Sequence, residues 1–243
     1  MQNTSRYDKL GFKIVLEREW LDLSVNLLLQ QKTVKEIRGT LQHVISSSGK
    51  HSELTSKFAV SILHAWFDPD DDLTIFRDQL LECIRKMPQE QWSILHWACL
   101  TASYPFLLSF STVFGRLIAL QNETTKAQML TRLQDIYGMR ETVERSLYYA
   151  MRSFINLELI QRKSSGLLIA PKKIKIDGDY LGILLWKAML HATRGNRLAI
   201  QVLRNSPALY AFKMPEIFVA RKYEIFPDLY FHQYASEEIL SLN

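Results

Sequence analysis

The sequence predicts a mainly α protein, a helical bundle with a central unit in which two helices joined by a tight turn lead into a small β-hairpin. Three observations carry this. Apolar residues recur at helical spacing through most of the 243 residues; between residues 157 and 176 that spacing gives way to strand-like alternation; and the surplus of basic residues lies in the same region. The expected organisation is an N-terminal helical domain over 1–103, the central unit over 104–176, and a C-terminal helical and aromatic segment over 177–243 packed on it.

The first helix spans 16–29, dense in Trp20, Leu21, Leu23, Val25 and Leu27, and a second follows over 34–45. A Ser- and Gly-containing loop at 46–50 separates them from a helix over 53–67 that exposes Lys57 and buries Phe58, Ile62 and Trp66. The acidic run 68–72 lacks the Gly and Glu that a calcium loop needs at its sixth and twelfth places, where Leu73 and Gln79 stand. It reads as a helix stop, with Asp72 capping the next helix, 73–86. Pro88 sits in the first turn of a helix running to Thr101, where its missing amide hydrogen costs nothing. His96 lies among apolar neighbours there, without a ligand or catalytic partner at i+3 or i+4, and reads as a packing residue. After Pro105 an apolar helix covers 106–121, in which Gly115 allows a close crossing.

The central unit has local signals of known mechanism. Thr125 and Gln128 have the spacing of a capping box, and Gly138 closes the helix they start. The next helix, 140–155, carries an apolar stripe of Val143, Leu147, Ala150, Met151 and Phe154. Arg145, Tyr149, Arg152 and Asn156 occupy the opposite face, as a solvated surface or as a surface that meets a partner. Two apolar runs split by Ser164, Ser165 and Gly166 then predict a hairpin. Arg162 and Lys163 stand at its tip, and Lys173 and Lys175 alternate with Ile174 and Ile176 along its returning arm. Between residues 126 and 175 ten Lys or Arg face four acids, a surplus of six, whereas the whole chain carries +5. Such confinement is the footprint of a nucleic-acid surface; lysines blunting an edge strand look similar.

In element order, Gly138, Arg145, Arg152 and the hairpin tip from Arg162 to Gly166, the central segment resembles the winged-helix superfamily. That resemblance implies that the second helix docks in a major groove with the wing along the backbone. Arg140, Arg145, Tyr149, Arg152, Arg162, Lys163, Lys173 and Lys175 would then meet double-stranded DNA, without catalysis. Some members bind only proteins, and Glu141 and Glu144 oppose phosphate contact at the helix start. The segment from Tyr104 through Gly115, Arg116 and Leu117 is also similar to uncharacterised bacterial proteins found near anti-phage genes. A structural subunit of a larger assembly, contacting protein through the wing and the aromatic tail, is the alternative; RNA and DNA are not separated by these residues.

Past the hairpin, helices are expected over 180–193 and 197–204. Phe212, Phe218, Tyr223, Phe226, Tyr230, Phe231 and Tyr234 follow as an aromatic lid or a partner contact, and 236–243 as a short docking tail. The Asn-x-Ser and Asn-x-Thr triplets at Asn3 and Asn122 read as chance matches. Cys83 and Cys99, in helical patterns, are expected to be free buried thiols. Phosphate loops, dinucleotide fingerprints, zinc-protease and hydrolase motifs do not occur, so neither cofactor nor metal is expected. Residues 1–9 lack the apolar core of a signal peptide and no run approaches membrane-helix length, which predicts a cytosolic protein.

Overall fold

A computed structural model describes residues 6–8, 10, 12–47, 52–217, 225–234 and 237–242. Part of the 46–50 loop, the triplet at Asn3, and Phe218 and Tyr223 lie outside them. Within the described residues the protein is mainly α, with ten α-helices and eight short strands. No single helix is long and apolar enough to cross a membrane.

The N-terminal helices α1 (Arg18–Leu29), α2 (Val34–Ser47) and α3 (Glu53–Phe67) pack on one another, and α3 packs on α5 (Ser93–Ser103). A buried polar chain ties three of them together. Trp66 Nε1–H donates to His96 Nδ1 at 3.1 Å, so the other ring nitrogen carries the proton and meets Asp22 Oδ1 at 2.8 Å. His96 therefore has both nitrogens occupied. Burial pushes its pKa down against the pull of Asp22. Burial raises that of Asp22, but hydrogen bonds from His96 and Gln89 and the charge of Arg18 outweigh it and hold the carboxyl low.

Several boundaries differ from expectation. Asp72 does not cap a helix: it lies in a 3-10 turn, Asp71–Leu73, which runs into α4 (Thr74–Ile84), and it pairs with Arg6 at 2.6 Å. Phe58 is exposed rather than buried, because α3 turns Ala59, Val60, Ile62, Leu63 and Trp66 inward and leaves Phe58 on the other side with Lys57. Cys99 is buried and Cys83 half-buried, both as free thiols.

Helix α6 (Pro105–Gln121) buries Phe106, Phe110, Val113 and Phe114, whereas Leu120 near its end is 83% exposed. Gly115 is a close crossing: a Cβ there would stand 1.9 Å from the backbone oxygen of Pro207. Backbone cannot yield as a flexible side chain does. Gly115→Ala should therefore cost at least about 2 kcal/mol through overpacking, read as a lowered thermal midpoint; an unchanged midpoint would show that the 207 turn moves freely.

Beyond α6 come β1 (Glu123–Thr124), α7 (Lys126–Tyr137), α8 (Glu141–Asn156), β2 (Gln161–Arg162) and β3 (Leu168–Ile169). The three strands form an antiparallel sheet in the order β1, β3, β2. The C-terminal part departs most from expectation. Residues 197–204 are not one helix but β5 (Arg197–Ala199) followed by α10 (Ile200–Arg204). The aromatic tail and the expected docking tail are β7 (Leu229–Tyr234) and β8 (Glu237–Leu242), a hairpin paired to β5 in the order β5, β8, β7. This sheet contacts α9 (Asp179–His191), whose residues from Leu181 onward are all buried. Phe226 and Leu229 cover the core, while Tyr230, Phe231 and Tyr234 stay exposed. The tail is thus lid at its start and surface at its end.

Candidate nucleic-acid interface

The local signals around α7 hold. Thr125 accepts from the Gln128 amide at 3.1 Å and its own amide donates to Gln128 Oε1 at 2.9 Å, a complete capping box. Gly138 then takes φ +81°, which L side chains rarely adopt, and the chain enters α8 through Arg140. Met129 and Leu133 of α7 and Val143, Leu147, Ala150 and Phe154 of α8 meet in the core.

The outward side of α8 is narrower than its sequence pattern suggests. The extended residues 10 and 12–17 lie along it. Ser146 Oγ donates to the Leu10 carbonyl at 3.3 Å, the Leu16 amide donates to Ser153 Oγ at 2.8 Å, and Asn156 Nδ2 donates to Leu16 O and Glu17 Oε2 at 3.0 and 2.8 Å. Two assignments are corrected here. Asn156 is a tether rather than an outward residue, and Tyr149 is half-buried, packed on the core. The aromatic that stands between the two arginines is Tyr148, 43% exposed. Glu141, Arg145, Tyr148 and Arg152 form one open stripe, at the 4, 3, 4 spacing of a helix face. Met139, 89% exposed, caps the turn at its upper end.

The hairpin turn is as expected, with the Gly166 amide donating to Lys163 O at 2.9 Å and Gly166 at φ +87°. Arg162 is exposed on β2, and Lys163 pairs with Glu123 of β1 at 2.7 Å. The returning arm is not what the alternation suggests. β3 stops at Ile169. Pro171 has no amide hydrogen for a ladder and restricts Ala170 before it. β4 (Ile174–Lys175) then pairs in parallel with β6 (Phe212–Lys213) in a separate sheet. Lys173 and Lys175 consequently do not belong to the hairpin, and Lys175 pairs with Asp177 at 2.7 Å.

The basic surplus is also partly matched. Arg145 meets Glu141 at 3.2 Å, Lys126 meets Glu144 at 2.8 Å and Arg132 meets Asp135 at 3.6 Å. Glu123 and Asp177 fall just outside the basic stretch; with both included, ten cations face six acids, a surplus of four. These pairs are exposed and each is worth little in water, so a phosphate can compete for the cation. Among the described residues no ion pair involves Arg140, Arg152 or Arg162. The exposed cations here are Arg140 just before α8, Arg145 and Arg152 along it with Tyr148 between them, and Arg162 and Lys163 on the hairpin that follows it in the chain. No protein family matches the chain, and neither curated proteins nor solved structures yield a match.

Proposed function

We propose that residues 105–169 form a winged helix and that the chain binds double-stranded DNA through it, without catalysis. The observation that carries this reading is topological: helix, strand, two helices and a hairpin whose antiparallel sheet has the order β1, β3, β2. A bare helical hairpin has no need of β1. The stripe of Arg145, Tyr148 and Arg152 supplies the chemistry, two cations for phosphates or guanine edges and a planar polar ring between them. Arg140 at the helix start and Arg162 on the wing supply two more phosphate contacts. Lys163 joins them on leaving Glu123.

With about five phosphates neutralised, log affinity for a random duplex should fall with log salt at a slope of roughly −4.5. Changing Arg145, Arg152 and Arg162 together to Ala should flatten that slope by about 2.7 and weaken binding by more than tenfold near 0.1 M salt. All three side chains are exposed, so far-UV circular dichroism should be unchanged. A folded variant that binds as well as the parent, or a parent that does not bind at low salt, sinks the proposal.

A second reading, an interaction subunit that contacts protein, is favoured by the exposed Tyr230, Phe231 and Tyr234 on β7. They occupy the outer strand of the β5, β8, β7 sheet, and this strand has no charged residue to blunt it. Absence of duplex binding in the same salt series would move the assignment there.

A further inference from the structure

Moving Lys173 off the wing gives it another setting. After β3 the chain passes Ala170 and Pro171, and Lys173 comes to line a pocket of about 540 Å³ between α6 and the 204–214 segment. Ile118, Pro171, Leu209, Phe212 and Met214 make its walls apolar. Its charged lining is of one sign: Lys173, Arg204 and Lys213, all exposed, with no carboxylate among the described residues that line it. The register of β4 on β6 sets Lys175 beside Lys213. Lys175 has Asp177, whereas no ion pair involves Lys173 or Lys213 among the described residues. Arg204 is steadied by donating to the Ile217 carbonyl at 3.1 Å. Tyr210, in the wall, is buried against Phe114 with ring centroids 4.6 Å apart, and its hydroxyl has no hydrogen-bond partner among the described residues.

Three cations lining one cleft without an acid give it a positive potential that favours an anion. A cleft of this size with apolar walls and a few convergent polar groups suits a small organic molecule better than a bare ion. We propose that this pocket binds a small amphipathic carboxylate, its apolar body against Ile118, Leu209 and Phe212 and its head group among Lys173, Arg204 and Lys213. The site stands apart from the DNA interface and does not rest on that reading.

Decanoate below its micellar concentration is a suitable probe, titrated calorimetrically into the full chain at fixed ionic strength. Saturable one-to-one binding is expected. It should weaken at least tenfold in the combined Lys173→Gln, Arg204→Gln, Lys213→Gln variant. It should be lost in Ala119→Trp, which fills the pocket from an exposed position on α6. Circular dichroism reports whether each variant folds, and the two act through different physics, so one that misfolds leaves the other decisive. Inorganic phosphate should bind at least tenfold more weakly than decanoate. No saturable binding by the parent, or equal binding by a folded variant, overturns the site; phosphate binding as tightly as decanoate overturns the apolar body.

Discussion

Asp228→Ala should lower the unfolding free energy by about 3–5 kcal/mol, the cost of leaving a buried charge without its partner. Lys187, on α9, is 0% exposed, and its ammonium lies 2.7 and 2.6 Å from the two Asp228 oxygens and 2.6 Å from Gln79 Oε1. The rings of Phe76 and Phe226 flank it at 5.9 and 5.1 Å. Asp228 directly precedes β7, so this pair pins the C-terminal hairpin to the helical core. Burial pushes the Lys187 pKa down while Asp228 pulls it up. Removing Asp228 leaves only the depressing influence. The folded variant then binds fewer protons than its unfolded chain, its stability rises with pH, and the deficit narrows in alkali. Adding Lys187→Met should recover most of the loss, because a buried pair replaced by apolar groups is often neutral. Urea unfolding of both variants and the parent tests this. A single variant that loses under about 1 kcal/mol, or a double variant no better than the single, would mean that the ammonium is stabilised by something other than Asp228.

What the sequence made legible was local. The capping box at Thr125 and Gln128, the positive φ at Gly138 and the turn ending in Gly166 each depend on a few neighbouring residues, and each forms where expected. Tyr148 and Tyr149 show where locality ends. A helix face is chosen by what covers it, and α8 is covered by residues 10 and 12–17, more than a hundred positions away. Ser146 and Ser153, small polar residues seven apart, were the available sign that another segment crosses there. The two-residue β1 exists because α6 delivers it beside β3; nothing within Glu123 and Thr124 requires a strand. Lys173 and Lys175 are both exposed, but alternation could not name the partner strand, although Pro171 marked the change of sheet. The C-terminal hairpin was hidden for a related reason: its aromatics are core at Phe226 and surface at Tyr230 and Tyr234, so no single burial rule spans them.

His191 should make folding stability fall by about 3 kcal/mol between pH 7 and pH 4. One turn beyond Lys187, it is buried beside Phe76 with ring centroids 5.0 Å apart, and neither ring nitrogen has a hydrogen-bond partner among the described residues. Burial pushes its pKa down to about 4, helped by the charges of Lys187 and Arg6 and opposed by those of Asp72 and Asp228. The unfolded chain takes up this proton near the ordinary value of 6.5, while the folded state resists until about 4. Between these values the unfolded state binds the extra proton, and stability drops by about 1.4 kcal/mol per pH unit as pH falls. Asp22 and Asp72, held low in the fold, add their own losses only below the ordinary carboxylate range, whereas His64 and His96, also held low by burial, add losses of the same sign as pH falls through the ordinary imidazole range. His191→Leu isolates the term: it keeps the backbone carbonyl that receives Arg6 and Tyr7 and removes only the ring. Urea midpoints at pH 7, 6 and 5 should fall less steeply for the variant than for the parent as pH falls, the variant losing about 2 kcal/mol less over that range. Parallel pH profiles would show that the imidazole is protonated in the fold, with Asp72 or Asp228 moving to meet it.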